Sequence, residues 1–237
     1  MSISSHPLHG LGSRIGRALL AQDCLLCQSA SGDRLLCEAC ERELPACATA
    51  CARCALPGPH VAECGACLGA APHFDASRAA FTYAFPIDAL VQALKYGGQL
   101  ALAGWFAHEL LKRLGQPSGV DLIVPLPLHP ARMAERGFNQ AAEIAKALAR
   151  ESGIAMDAHI AKRLRNTAAQ TGLPWRERAA NMRGAFGCER ELSGLSIAVI
   201  DDVMTTGATL NEFARTLKQS GAARVENWVV ARTPPGV

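Results

Sequence analysis

The chain has 237 residues, 49% of them hydrophobic and 5% aromatic, with 24 Lys plus Arg against 21 Asp plus Glu and a formal net charge of +3. That apolar content over this length can bury a substantial core, and about 150 residues per domain allows one large domain beside a small one, so intrinsic disorder is excluded. The net charge is too small to mark a nucleic-acid or membrane binder, and the apolar runs fall well short of the ~18 residues of a membrane span.

Residues 1–22 read as an N-terminal tail in which Gly12 to Gln22 has the spacing of a short amphipathic helix. Arg14 and Arg17 are followed only by Ala18-Leu19-Leu20-Ala21. That stretch is too short for the apolar core of a secretory signal, which points to a cytoplasmic protein. In a reducing cytosol, paired cysteines are metal ligands or redox catalysts rather than disulfides.

Residues 23–71 hold nine of the ten cysteines. Cys24-x-x-Cys27 is followed after nine residues by Cys37-x-x-Cys40, and Cys51-x-x-Cys54 after nine residues by Cys64-x-x-Cys67, an offset of 27 at all four positions. A Cys-x-x-Cys knuckle aims two sulfurs at one ion, and two knuckles supply the four thiolates that a tetrahedral Zn2+ takes. The span therefore reads as a double zinc ribbon with two structural, closed Zn2+ sites. A thioredoxin-like redox pair would need a βαβ context that this stretch lacks. Cys47 has no counterpart in the first repeat; it is a spare thiol or a substitute for Cys51, and an interleaved pairing of knuckles stays open.

Residues 72–237 follow a different grammar. Ser77 to Ala84 alternates like a strand, while Ile87 to Tyr96 and Leu100 to Leu114 have helical spacing on either side of a Gly97-Gly98 stop. Lys95 reads as an ordinary basic residue in the last turn before a glycine cap. Asp121 to Pro127 is a buried strand entering a Pro-rich loop, and Asn139 to Arg150 is a helix. Ser196 to Ile200 is a second buried strand, Leu210 to Gln219 a helix ended by Gly221, and Val225 to Ala231 a last strand. Strands alternating with helices predict a parallel α/β sheet with helices on both faces, with ligands at the carboxyl ends of the strands.

One such end carries the densest chemistry. Ile197 to Ile200 runs into Asp201-Asp202-Val203-Met204-Thr205-Thr206-Gly207-Ala208-Thr209, with a helix directly after. Backbone N–H groups at a helix start suit a phosphate monoester, Thr205, Thr206 and Thr209 add hydroxyl donors, and Gly207 permits close backbone approach beside Ala208. Asp201 and Asp202 suit the hydroxyls of an attached sugar, directly or through Mg2+. One ligand, a ribose 5-phosphate, accounts for both halves; an Asp turn with a Thr cap would account for only one or two of these residues.

This strand, acidic pair and Thr-Thr-Gly loop resemble the phosphoribosyl pyrophosphate (PRPP) motif of type I phosphoribosyltransferases. With Pro125-Leu126-Pro127, Arg132, Arg136-Gly137-Phe138-Asn139-Gln140, Lys95-Tyr96-Gly97-Gly98 and the four-cysteine repeats, nearly everything from Cys24 onward resembles the ComF family of competence-associated proteins, including its GntX-type members. The resemblance implies a type I phosphoribosyltransferase-like fold preceded by the zinc-ribbon module, with PRPP as ligand and Mg2+ as cofactor. It implies catalytic Asp201 and Asp202, a 5-phosphate loop at Thr205 to Thr209, and a pyrophosphate cradle from Pro125, Leu126, Arg132 and Arg136, where planar guanidinium groups suit the anion. The basic stretch from Lys162 to Arg183 is similar to a closing hood, with Arg163, Gln170, Arg178 and Asn181 as its site residues; a hood would exclude water during bond breaking. One departure stands out: hypoxanthine-guanine enzymes carry an acid at the place of Thr205, so the base that would activate an acceptor is not visible here.

Three functions follow. The first is a Mg2+-dependent phosphoribosyltransferase with an unknown acceptor; the second is a PRPP-sensing module without catalysis. In the third, which the resemblance implies, the chain is an adaptor in DNA uptake whose ribbons dock a helicase or single-stranded DNA. Residues 21–71 carry Arg34, Arg42 and Arg53 against six acids and no aromatic residue, which favours a protein partner for the ribbons over direct nucleic-acid binding.

Overall fold

The computed structural model describes residues 22–59, 62–115, 117–165 and 182–234. The chain divides into two compact units at Leu44/Pro45. The boundary falls inside the span of the two ribbons, so each unit holds one of them.

In the first unit, β1 (Gln22–Asp23) and β2 (Ala30–Gly32) pair antiparallel around the first knuckle, and α1 (Glu38–Arg42) starts at Cys37. Gln22, expected to end a helix, pairs in β1; the rest of that expected helix lies outside the described residues. The knuckle closes with Gln28 N–H on Cys24 O at 2.9 Å, and Gln28 takes a φ of 62°. In the second ribbon, Ala55 N–H meets Cys51 O at 2.8 Å with a φ of 53°, and α2 (Gly65–Gly69) starts at Cys64 as α1 does at Cys37. The repeat visible in the cysteines thus extends to the backbone. Two non-glycine residues tolerate the left-handed region, at a cost of about 1–2 kcal/mol each, because the turn must aim amides at sulfur.

The second unit is built on β3 (Ala76–Thr82), β4 (Leu122–Pro125), β7 (Ser196–Met204) and β8 (Arg224–Arg232) in the order β3-β8-β7-β4, all parallel. Between them lie α3 (Ile87–Tyr96), α4 (Ala101–Leu114), α5 (Pro130–Arg136), α6 (Gln140–Ser152), a hairpin of β5 (Ala161–Arg163) with β6 (Phe186–Cys188), and α7 (Ala208–Gln219). All four sheet strands are those expected from sequence, and their central members are buried along almost every residue, as parallel strands covered on both faces must be. Ile197, Val199, Val225 and Val229 pack with Leu210, Phe213 and Leu217 of α7. The alternate positions, Ala198, Ile200, Trp228 and Val230, are equally buried and point the other way, toward the layer of α4 and α6.

Both sheet edges are covered. Thr82 N–H meets Pro45 O at 2.8 Å, Cys47 N–H meets Ala80 O at 3.2 Å, and Ala46 bridges Phe81 antiparallel. The segment leading into the second ribbon therefore occupies the β3 edge and removes a free template for pairing. On the opposite edge, Ile123 bridges Met156.

Candidate functional site

β7 outruns β4. The β4 ladder ends at Pro125 opposite Ile200, whereas β8 continues to pair Asp201 with Val229, Val203 with Ala231 and Met204 with Arg232. The strand expected to stop at Ile200 therefore carries the acidic pair within it and presents both carboxylates where β4 has turned away. Asp201 accepts the Asp202 N–H at 2.9 Å and Asp202 accepts the Val203 N–H at 2.8 Å. Thr205 and Thr206 are exposed, Thr209 is half-buried, and Gly207, with a φ of +79°, turns the chain into α7 at Ala208. A Cβ at Gly207 would lie 2.7 Å from Met204 Cε. Thr206 Oγ1 accepts the Ala208 N–H at 3.3 Å, and α7 starts with no side-chain cap from Gly207.

Lys95 reaches across from α3. Its Nζ stands 2.6 Å from Asp202 Oδ2, with the two side chains only 18% and 12% exposed. That oxygen has no well-aligned hydrogen bond, so the contact is held by charge rather than by direction. Burial pushes Asp201 up to about 8, the neighbouring Asp202 charge adds to this, and Lys95 opposes it. Burial lowers the Lys95 pKa, but Asp202 more than compensates and the net shift is upward. The pair of acids is therefore poised to receive a cation or to donate a hydrogen bond.

The β4 loop faces the same edge. Leu126 N–H meets Ile200 O at 2.9 Å, and Leu126 O accepts Asn139 Nδ2 at 3.0 Å. Asn139 also caps α6 by accepting the Ala141 N–H at 3.0 Å. The Pro-rich loop contains a helix, α5, that the sequence reading missed: Pro130 occupies its first turn, His129 caps it, and Gly137 ends it in the left-handed region. Arg132 and Arg136 thereby stand one turn apart on one element. Arg136 donates to Tyr96 Oη at 2.9 Å and Gln140 Oε1 at 3.2 Å, and its guanidinium lies over the Tyr96 ring. Lys95 and Tyr96 thus join the acidic pair to the basic loop, a role that their position before two glycines did not disclose.

Arg163 on β5 is part of the same group of charges. Burial first, and the like charge of Arg132 second, lower its pKa, while Asp201 opposes the shift. β5 and β6 pair as Ala161 with Cys188 and Arg163 with Phe186. Gln170, Arg178 and Asn181 lie outside the described residues.

The cysteines gather as Cys24, Cys27, Cys37 and Cys40, and as Cys51, Cys54, Cys64 and Cys67, with the sulfurs of each set within 4.8 Å of one another. Cys27–Cys37 and Cys54–Cys64 sulfurs are 3.7 Å apart; Zn–S bonds of about 2.3 Å in a tetrahedron require about 3.8 Å. The donor set and spacing fit structural Zn2+. Burial raises the Cys24 and Cys51 pKa, but backbone N–H donors from Cys27, Cys37 and Leu26, and from Cys54, Cys64 and Arg53, outweigh it and bring them to about 6 and about 7. The donors are themselves 27 residues apart, position by position. Cys47 stays outside both clusters, its Sγ 3.9 Å from Ala55 O, which resolves the pairing left open by sequence.

Residues 15–68 match the double zinc ribbon domain family. The chain is 35% identical over 205 residues to the DNA utilization protein YhgH of Salmonella typhimurium, covering 84% of this chain and 90% of that protein. It is 31% identical over 207 residues to Competence protein F of Haemophilus influenzae, covering 83% and 90%. The chain belongs to the ComF family. A further ComF-type relative, Competence protein ComFC of Bacillus subtilis, is 31% identical over 160 residues, 66% of this chain and 64% of that one. Among solved structures, the allosteric regulatory enzyme of purine biosynthesis aligns over 55% of this chain and 25% of its own, with 17% identity and a TM-score of 0.37. Among the described residues no helix is long and apolar enough to cross a membrane.

In this ComF-family chain a cleft of about 870 Å³ separates the second ribbon from the Thr206–Ala208 turn, with Cys54, Phe74, Met204, Asn211 and Arg215 among its walls. Arg232, which sequence reasoning passed over, sits in the same wall; its one visible signal is a charge directly after the apolar run Trp228 to Ala231.

Proposed function

We propose that this ComF-family chain binds PRPP and acts as a phosphoribosyltransferase on an acceptor that its sequence does not name. The observation that carries this reading is the β7–α7 junction. Two carboxylates, a Thr-Thr-Gly turn with a left-handed glycine and the start of a 12-residue helix follow one another at the carboxyl end of a parallel strand, beside a loop bearing Arg132 and Arg136. In this reading, the N–H groups and hydroxyls of Thr205 to Thr209 hold the 5-phosphate, Asp201 and Asp202 the ribose hydroxyls, and Arg132 and Arg136 the pyrophosphate. The hard carboxylate oxygens of the acidic pair suit Mg2+, which would neutralise the leaving pyrophosphate. Arg163 and the hood residues Gln170, Arg178 and Asn181 close over the ligand. The module boundaries of residues 23–71 and 72–237 serve this division of labour, the ribbons being structural and open to a protein partner in DNA utilization, the process named for its relatives.

Calorimetric titration of PRPP with and without Mg2+ tests the reading. Binding should need the metal and fall at least tenfold when Asp201 and Asp202 are replaced by Ala; unchanged affinity in that variant overturns it. Pyrophosphate release under a broad acceptor screen then separates a transferase from a PRPP-sensing module.

A further inference from the structure

The second ribbon and the Thr205–Thr209 loop are held by one buried cation. Arg232, the last residue of β8, is 5% exposed. Its Nε donates to Cys54 O at 2.9 Å, and its Nη1 faces Met204 O at 3.0 Å, Thr233 O at 2.9 Å and Thr205 O. Cys54 is the second sulfur ligand of the knuckle, and Thr205 opens the loop. A planar guanidinium with donors in a fixed fork cannot satisfy these carbonyls unless they keep their mutual positions. Among the described residues no carboxylate lies within ion-pair distance of Arg232; the groups that favour its charge against burial are the Cys54 and Cys64 sulfurs of the second cluster. Four thiolates outnumber the charge of a divalent ion, so a metal-filled cluster stays anionic and keeps the buried guanidinium company.

A second connection runs alongside. Arg53, inside the knuckle, bonds Phe74 O at 3.2 Å and pairs with Glu63. The adjoining His73 N–H donates to Asn211 Oδ1 at 2.6 Å in the first turn of α7, and Phe74 is 3% exposed with its ring edge facing the Gly207 turn. The linker from ribbon to sheet is thus bonded to the helix whose start forms the loop.

We infer that Arg232 is a positioning residue that couples metal occupancy of the Cys51, Cys54, Cys64 and Cys67 cluster to the conformation of the Thr205–Thr209 loop. The second zinc ribbon and the loop, both within the same compact unit, thus share one buried anchor. The mechanical coupling stands on the contacts alone; its consequence for PRPP affinity rests on the function proposed above.

The test is hydrogen exchange at the Thr205–Thr209 amides of the full zinc-loaded chain, read together with zinc content and PRPP affinity. Arg232→Lys keeps the charge and loses the fork. It should speed loop exchange roughly tenfold, the scale of one lost charged hydrogen bond, leave α6 amides and both zinc ions in place, and weaken PRPP binding by a similar factor. Cys67→Ser should open the loop in the same way, and Cys40→Ser should not. Should Cys67→Ser fail to fold, graded chelation of the Cys40→Ser chain, which keeps only the second metal, should open the loop in step with zinc release. Loop exchange unaffected by Arg232→Lys or by loss of the second zinc overturns the coupling. A loop that opens as described in a chain that never binds PRPP leaves the coupling intact and refutes the phosphate reading.

Discussion

Replacing Lys95 with Met keeps most of the aliphatic stem and removes the charge that faces Asp202. At 2.6 Å and an effective dielectric near 20, the gross attraction is about 6 kcal/mol, most of it offset by desolvation of both groups. Deleting one partner strands the other; for buried pairs this costs ~3–5 kcal/mol, and the residual exposure of 18% and 12% places this pair at about 3 kcal/mol. For a unit of this size that is a fall of about 6–12 °C in melting temperature. The cost should grow as pH rises through about 8, where Asp201 ionises: without Lys95 the folded state loses the cation that opposes that upward shift, while the unfolded chain is unaffected. Denaturant melts at pH 6 and pH 9, followed by the fluorescence of buried Trp228, measure both effects. A double-mutant cycle with Asp202→Asn should return a coupling of about 2 kcal/mol. A Lys95→Met chain within about 0.5 kcal/mol of wild type, or additivity with Asp202→Asn, refutes the pairing as a source of stability.

Three other outcomes are expected. Asp201 keeps its proton in the folded chain up to about 8 against an ordinary 3.8; the folded state therefore binds more protons between these values, so stability falls as pH rises from about 4 to about 8. Asp201→Asn should flatten that slope in melting curves at pH 5 and pH 8, and parallel curves would contradict it. Elemental analysis should find two zinc ions per chain, one after Cys27→Ser or Cys64→Ser, and still two after Cys47→Ser; loss of zinc in the last variant would place Cys47 in a site. Gly207→Ala should cost about 1–2 kcal/mol through its left-handed backbone. Because Met204 Cε is the end of a flexible side chain, adding Met204→Ala should not restore stability, and full rescue by that second change would show that the clash, not the backbone, was responsible.

How far local pattern reaches can be seen element by element. Ile87 to Tyr96 is a helix with the ends its spacing implied, because an apolar face and a glycine stop are local signals. The sheet strands were legible for a similar reason: the edge strand β3 shows itself by alternation, and the strands buried on both faces by their apolar runs, whatever their neighbours. The zinc ligands were legible because the offset of 27 repeats. The α5 helix was not, since Pro130 and Gly137 mark a helix only when the turn they enclose is recognised as one.

The length of β7 shows where sequence stops. Nothing in Asp201-Asp202-Val203-Met204 says that β8 will supply a ladder after β4 has ended, yet that asymmetry sets the carboxylates at an open edge. Lys95 and Asp202 come from different elements, and Arg232 meets Cys54 across 178 residues of chain. Residue types, spacing and periodicity therefore decided the metal ligands, the sheet strands and the candidate loop. Which charge faces which was decided by strand order and crossover connections, because a side chain's partner across a sheet depends on how the chain returns and leaves no trace in the residues beside it.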